Sequence, residues 1–214
     1  MRNRFDEQLF ELNKEIIEMG GMCEEMIASA ARALADGDLD LAAQVIKNGG
    51  AVDQMEREIE SRCMKLLLHQ QPVARDLRLI SSALKMITDM ERIGDQAEDI
   101  AEIVKHLKGH TMEEVKLIQE MAKETIEMVI SSVDAFVKKD LDLAKSVLIR
   151  DDVVDNYFLD AKRDIISLVA ENPEKGEFAL DILMIAKYLE RIGDHATNIA
   201  EWVIYCITGM HEEV

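Results

Sequence analysis

Acidic side chains recur four residues apart at two corresponding places in the sequence. The pentapeptide Glu-Arg-Ile-Gly-Asp occurs at 91–95 and again at 190–194. On a helix that turns 100° per residue, Glu91 and Asp95 would lie only about 40° apart on one face. Carboxylates one turn apart repel each other, and a hard or borderline cation bound between them would relieve the repulsion. The pattern predicts a metal site in each half of the chain, with a solvated acidic face as the alternative interpretation.

The segment that precedes each pentapeptide supplies further acidic residues. In the second half, Asp151 and Asp155 are again one helical turn apart. In the first half, Gly49 stands where the second has Asp151, and only Asp53 remains. A site in the first half would therefore have one protein ligand fewer. The candidate metal ligands are Asp53, Glu91, Asp95, Asp151, Asp155, Glu190 and Asp194.

Other polar residues near these motifs carry weaker signals. Glu56 or Asp99 could supply the ligand that the first half lacks. His195 follows the second pentapeptide directly and could join a metal site, although a surface histidine needs no special explanation. On a helical projection Glu91, Asp95, Glu98 and Glu102 form one acidic stripe that is expected to face outward, away from the apolar side of the helix. Arg92 lies about 100° from this stripe, as Arg191 does from its counterpart, so both are predicted only to flank it.

Long helices are the elements expected to position these side chains. The 214 residues include only two prolines and 4% aromatics, with many Leu, Ile, Ala, Met, Glu and Lys, which favours packed helices over sheet. Helix breaks are predicted at 36–38, 71–72, 108–110, 139–140, 172–173 and 209, with Thr111 and Glu114 forming a capping-box pattern at the start of the fourth segment. Six rods of about 40 to 50 Å joined by tight turns are typical of helical bundles.

The two halves of the chain repeat each other. Residues 91–102 return at 190–201, and nine of these twelve positions are identical. The sequence therefore predicts an all-α protein of two tandem three-helix bundles, residues 1–108 and 109–214, related by a pseudo-two-fold repeat. Gly94 and Gly193 lie inside the third helix of each bundle, where each costs about 1 kcal/mol relative to alanine. Such glycines suggest that something approaches the helix backbone closely.

The charge balance excludes several classes of partner. There are 25 basic and 43 acidic residues, a net charge of −18, which argues against nucleic acid and against anionic lipid. Such a surface attracts cations or a basic patch on a partner protein. No apolar run approaches the roughly 18 residues of a membrane span, and the amino terminus has no apolar signal region. The three cysteines form no C-x-x-C pair. These features predict a cytoplasmic protein without membrane insertion.

No catalytic motif is recognisable in the sequence. It contains no glycine-rich phosphate loop, no G-x-S-x-G and no Ser/His/Asp spacing, so the chain is predicted not to be an enzyme. An alternative from another class is a helical-bundle di-metal carboxylate oxidase or metal-storage protein. Such oxidases need Glu-x-x-His on two core-facing helices, and none of the five histidines has a glutamate three residues before it. A purely structural bundle with acidic stripes for solubility is a third interpretation.

The repeated motifs and the segment 72–97 resemble the PhoU family of phosphate-uptake regulators, and the resemblance extends over essentially the whole chain. It implies a cytosolic negative regulator of the phosphate-starvation response. The partners that the resemblance implies are the ATPase subunit of a phosphate ABC transporter and a sensor histidine kinase. We expect the chain to act as a non-enzymatic adaptor between them.

The resemblance also implies E(D)-x-x-x-D motifs that can hold clusters of iron or another divalent or trivalent metal, such as zinc, manganese or nickel. The positions that match are Glu91 with Asp95, Glu190 with Asp194 and Asp151 with Asp155, while Asp53 matches half of the motif. A homodimer is a separate expectation, because long two-sided helices often leave an exposed apolar strip.

Overall fold

Six α-helices make up nearly all of the part of the chain that the computed structural model describes, which is residues 2–69, 73–107 and 116–210. Within these ranges there is no β-strand, so the predicted all-α class is confirmed. The helices are α1 (Arg2–Asp36), α2 (Leu39–His69), α3 (Ala74–Val104), α4 (Lys116–Lys138), α5 (Leu141–Glu171) and α6 (Gly176–Thr208), with a short 3-10 helix (Pro173–Lys175) before α6.

The turns between the first two helices of each bundle use local sequence signals. Gly37 has φ +65°, a left-handed conformation that glycine adopts without steric cost, and it separates α1 from α2. The Asp38 carboxylate then accepts a hydrogen bond of 2.9 Å from the backbone N–H of Leu41. Asp140 caps α5 in the same way, accepting 3.0 Å from the N–H of Leu143. Each carboxylate satisfies a backbone donor that the first helical turn leaves free.

The remaining predicted breaks are confirmed wherever the structure describes them. Helix α5 ends at Glu171, directly before Asn172 and Pro173. Helix α6 ends at Thr208, and the following Gly209 has φ +78° and donates its N–H to the Tyr205 carbonyl oxygen. The predicted breaks at 71–72 and 108–110, and the capping box of Thr111 and Glu114, lie outside the described residues.

The helices form two three-helix bundles that share one continuous core. Helices α1, α2 and α3 pack on one another, as do α4, α5 and α6, and α3 packs along α6 while α1 packs against α4. The isoleucines of the two pentapeptides, Ile93 and Ile192, are fully buried in this core. Met86 and Met90 are also fully buried, as expected of methionines that fill a core. None of the described helices is apolar over a stretch long enough to cross a membrane.

Candidate metal centre

The glycine of each pentapeptide allows two helices to come close together. A Cβ atom added to Gly94 in α3 would lie 3.2 Å from Cγ1 of Val52 in α2. In the second bundle, a Cβ added to Gly193 in α6 would lie 3.4 Å from Cγ1 of Val154 in α5. The expectation of a close approach at these glycines is confirmed, and it brings each acidic motif beside the preceding helix.

Three of the predicted ligands meet in the first bundle. Asp53 of α2 and Glu91 and Asp95 of α3 each offer a carboxylate oxygen, and these oxygens all lie within 4.8 Å of one another. We call these three residues the first cluster. Their side chains are 45%, 20% and 38% exposed, respectively. The cluster therefore lies in the groove between α2 and α3, which is more sheltered than the outward-facing stripe expected from the helical projection.

Arginines pair with the first cluster more directly than predicted. Arg92 donates to Asp95 at 3.0 Å, and its Nε lies 3.3 Å from a Glu91 oxygen. The expectation that Arg92 would only flank the stripe is wrong, because its guanidinium lies within ion-pair distance of both carboxylates. Arg57 lies 3.7 Å from Asp53. Such exposed ion pairs contribute at most about 1 kcal/mol each, so a bound cation could replace them at small cost.

Burial and the repulsion of its neighbours disfavour the charged state of Glu91 in the first cluster. Burial is the main cause that raises the pKa of Glu91, and Asp95, Glu56 and Asp53 raise it further. Arg92 acts in the opposite direction and lowers that pKa. Three carboxylates raise this pKa and one arginine lowers it, and a cation bound here would favour the charged form of Glu91.

The Glu98 carboxylate occupies the space that a side chain at position 49 would take. A Cβ atom added to Gly49 would lie 1.1 Å from Oε1 of Glu98, so the Glu98 carboxylate fills the space beside the α2 backbone. Neither residue proposed from the sequence has this position. Burial is the main cause that raises the Glu56 pKa, followed by the charges of Glu60 and Asp53, so Glu56 lies near Asp53. Asp99 faces the other bundle.

The position of Asp99 is evident from the groups that act on it. Burial raises the Asp99 pKa, as do Glu102 and Asp95, whereas Arg191 and the Tyr188 hydroxyl lower it. Arg191 and Tyr188 belong to α6, so the Asp99 side chain bridges to the second bundle. Asp99 is therefore less suited than Glu98 to complete the first cluster.

In the second bundle the four predicted ligands are neighbours but are spaced more widely. Burial, with Asp155 and Asp194, raises the pKa of Asp151 to about 6, and the Thr197 hydroxyl opposes this. Glu190 pairs with the Lys187 ammonium. Among the described residues, the first cluster is the one group of three acidic, His or Cys side chains whose ligand atoms approach within 4.8 Å.

His195 does not join the carboxylates of its own bundle. Its Nδ1 lies 2.9 Å from Oδ1 of Asp89 in α3, and Asn198 donates to the same oxygen at 3.1 Å. The expectation that His195 could join the second site is therefore not supported, since its Nδ1 is engaged by the other bundle.

The residues of the first cluster fit a bound cation. All donors are carboxylate oxygens, which hard and borderline cations accept. Three of these oxygens converge. The Glu98 carboxylate is not one of the three, and it occupies a space beside α2 that any side chain at position 49 would fill. The sequence signal for Glu98 was a reciprocal difference between the repeats: Gly49 and Glu98 in the first correspond to Asp151 and Thr197 in the second.

Fold and site together define a duplicated three-helix protein with an acidic groove between the second and third helices of each half. The family model described as PhoU domain matches it twice, at residues 16–104 and 118–203. The chain belongs to the PhoU family.

Similar proteins extend over nearly the same length. A phosphate-specific transport system accessory protein PhoU homolog from Clostridium acetobutylicum is 40% identical over 210 residues, which cover 97% of this chain and 96% of the relative. The accessory protein of that name from Escherichia coli is 32% identical, with coverage of 96% and 86%. The crystal structure of PhoU from Pseudomonas aeruginosa matches with a TM-score of 0.92 and 38% identity, covering 96% of this chain and all of that one. These matches confirm the predicted fold.

Proposed function

We propose that this chain is a cytoplasmic negative regulator of phosphate uptake that works as a non-enzymatic adaptor. The observation that carries the proposal is its family membership: the PhoU domain matches twice, and relatives that align over almost the whole chain are named accessory proteins of phosphate-specific transport. The duplicated helical scaffold suits an adaptor, because it offers long rigid surfaces to partners.

The proposed partners are the ATPase subunit of a phosphate ABC transporter and the sensor histidine kinase of a phosphate two-component system. When phosphate is plentiful, the adaptor would bridge the two and keep the kinase in its phosphatase-like state. The net charge of −18 supports contact with basic patches on such partners. Exposed apolar side chains on α5, among them Ile149 and Ile166, offer contact area to a partner or to a second copy in a homodimer.

A bound metal is the second part of the proposal. Iron, or zinc, manganese or nickel, would be held by Asp53, Glu91 and Asp95 in the first bundle and by Asp151, Asp155, Glu190 and Asp194 in the second. When bound, the cation would offset the clustered negative charge and link the second helix of each bundle to the third. The converging oxygens of the first cluster support this proposal.

Deletion of the gene tests the regulatory role. Loss of the protein should leave phosphate-scavenging genes switched on in phosphate-rich medium, and a plasmid copy of the wild-type gene should switch them off again. Transcript levels of the transporter genes in high and low phosphate are the measurement. Normal repression in the deletion strain would contradict the proposed function.

A further inference from the structure

We infer that Glu98 is a ligand of the metal site in the first bundle and takes the place that Asp151 has in the second. This inference rests on the metal-binding part of the proposed function and assigns it a residue outside the E(D)-x-x-x-D motif.

Glu98 lies on the same face of α3 as two residues of the first cluster. Glu98 follows Glu91 by seven residues and Asp95 by three, so all three lie on one face of α3. The side chain turns toward α2, where its carboxylate lies against the Gly49 backbone. Asp53, the ligand that α2 contributes, follows Gly49 by one helical turn on that same helix. Glu98 therefore reaches the groove between α2 and α3, although its carboxylate is not among the oxygens that converge within 4.8 Å.

At two corresponding positions, the repeats exchange the helix that carries an acidic residue. Position 49 corresponds to 151 at an offset of 102, the same offset that relates Asp53 to Asp155. Position 98 corresponds to 197 at the offset of 99 that relates the two pentapeptides. One bundle combines glycine on the second helix with glutamate on the third, and the other combines aspartate with threonine. Each bundle thus has one carboxylate between its second and third helices at this pair of positions. The third helix carries it in the first bundle, and the second helix carries it in the second bundle.

Several acidic side chains surround Glu98. Burial raises the Glu98 pKa, and the charged groups that act most strongly on it are the carboxylates of Asp95, Asp53, Glu102 and Asp99. A solvated acidic residue would gain by turning toward water, whereas this side chain points into a groove among other acids. A cation shared with the first cluster would offset that repulsion, because it favours the charged form of every nearby carboxylate.

The test isolates the first site. Metal-free protein is prepared with Glu190→Gln and Asp194→Asn, which disable the second site, and Mn²⁺ binding is measured by isothermal titration calorimetry. Glu98→Gln in this background should weaken binding by about 10-fold or more, the loss commonly seen when a group that supports a metal site is removed. Glu102→Gln, one turn further along α3 and exposed, is the matched control and should change the dissociation constant less than 2-fold.

Two further variants alter the geometry. Gly49→Ala leaves every carboxylate in place, but its Cβ would displace the Glu98 carboxylate, so Mn²⁺ binding should weaken as it does for Glu98→Gln. The double variant Gly49→Asp with Glu98→Thr reproduces the arrangement of the second bundle. It should bind Mn²⁺ within a few-fold of the background protein, while Glu98→Thr alone should not.

A failure of the Glu98 assignment and a failure of the metal-binding proposal would give different results. If the background protein binds Mn²⁺ but Glu98→Gln and Gly49→Ala bind it equally well, the assignment of Glu98 is overturned and the metal site stands. If neither the background protein nor the wild type binds Mn²⁺ or Fe²⁺, the metal-binding proposal fails, and the inference fails with it. Circular dichroism and urea unfolding of each variant confirm that differences in binding do not arise from misfolding.

Discussion

His195 of α6 and Asp89 of α3 form a polar contact between the two bundles, with 2.9 Å between His195 Nδ1 and Asp89 Oδ1. Asn198, one turn further along α6, donates to the same oxygen. The histidine and aspartate side chains are only 19% and 16% exposed, so water competes weakly with the contact. The third helices of the two bundles are therefore held in register by polar groups as well as by the apolar core.

Removal of the shared acceptor should weaken the junction between the bundles. Asp89→Ala leaves His195 and Asn198 without their partner, which should lower the free energy of unfolding by about 1 to 3 kcal/mol. Thr88→Ala is the matched control, because Thr88 is exposed and its hydroxyl donates to the Leu84 carbonyl oxygen of its own helix. Urea unfolding followed by circular dichroism measures both variants. Equal stability of the two would contradict a structural role for Asp89.

The close approach of α2 and α3 should be sensitive to side-chain volume at Gly94. Leucine at this position would have to displace Val52, and overpacking of this kind should lower the free energy of unfolding by about 1 to 3 kcal/mol. Gly50→Ala in α2 is the control, because a Cβ atom there would meet nothing within 4 Å. That variant should raise stability by up to about 1 kcal/mol through helix propensity. Thermal unfolding compares them, and a stable Gly94→Leu variant would show that the helices are not in close contact.

Asp151 should make the stability of metal-free protein depend on pH. Burial and the neighbouring carboxylates raise its pKa from 3.8 to about 6. Because the raised pKa belongs to the folded state, stability present below about pH 4 is lost as the pH rises through 6. At pH 7 the free energy of unfolding of Asp151→Asn should therefore exceed that of wild type by about 1 kcal/mol, after allowance for solvent screening. At pH 4 the two should be equal, and urea unfolding measures both.

Asp164→Asn, at an exposed position of α5 more than three helical turns from Asp151, serves as the control for that comparison. It should unfold as wild type does at both pH values when the buffer contains a chelator. A gain for Asp151→Asn that is equal at pH 4 and pH 7 would mean that ionisation of Asp151 is not the cause.

The three cysteines should differ sharply in reactivity. Burial raises the pKa of Cys23 and of Cys63 to about 12, and both side chains are fully buried, so neither presents a reactive thiolate. Cys206 is partly exposed. A disulfide reagent at pH 8 should therefore modify native protein at Cys206 alone, and Cys206→Ser should abolish the reaction until urea is added. An unchanged native reaction in that variant would contradict the burial of the other two.

Much of the fold follows from local sequence signals. The breaks at Gly37 and Gly209 could be predicted because glycine adopts positive φ, and Asp140 could be predicted because its side chain caps a helix by itself. The two-bundle organisation followed from the repeated pentapeptides. The helix breaks depend on neighbouring residues, and the repeat is visible in two identical pentapeptides, so neither feature depends on how the helices pack.

The site was less predictable because it depends on reach and register between helices. A helical projection gives the direction of each Cβ atom but not the length of a side chain, so it did not predict the ion pair of Arg92 with Asp95. It also could not show that Glu98 crosses to Gly49, because that contact depends on how α2 slides along α3. The contact between His195 and Asp89 depends on the packing of one bundle against the other, which the periodicity within a helix does not encode.

Metal analysis of the purified protein tests the central claim most directly. The wild type, prepared without chelator, is compared with Glu91→Gln/Asp95→Asn, with Glu190→Gln/Asp194→Asn and with the combination of all four substitutions, using elemental analysis after desalting. We predict that the wild type retains iron or another of the named metals, that each double variant loses part of it, and that the fourfold variant loses all of it while its helicity is unchanged. Equal metal content in all four proteins, or none in the wild type, would contradict the assignment of the carboxylate grooves as metal sites.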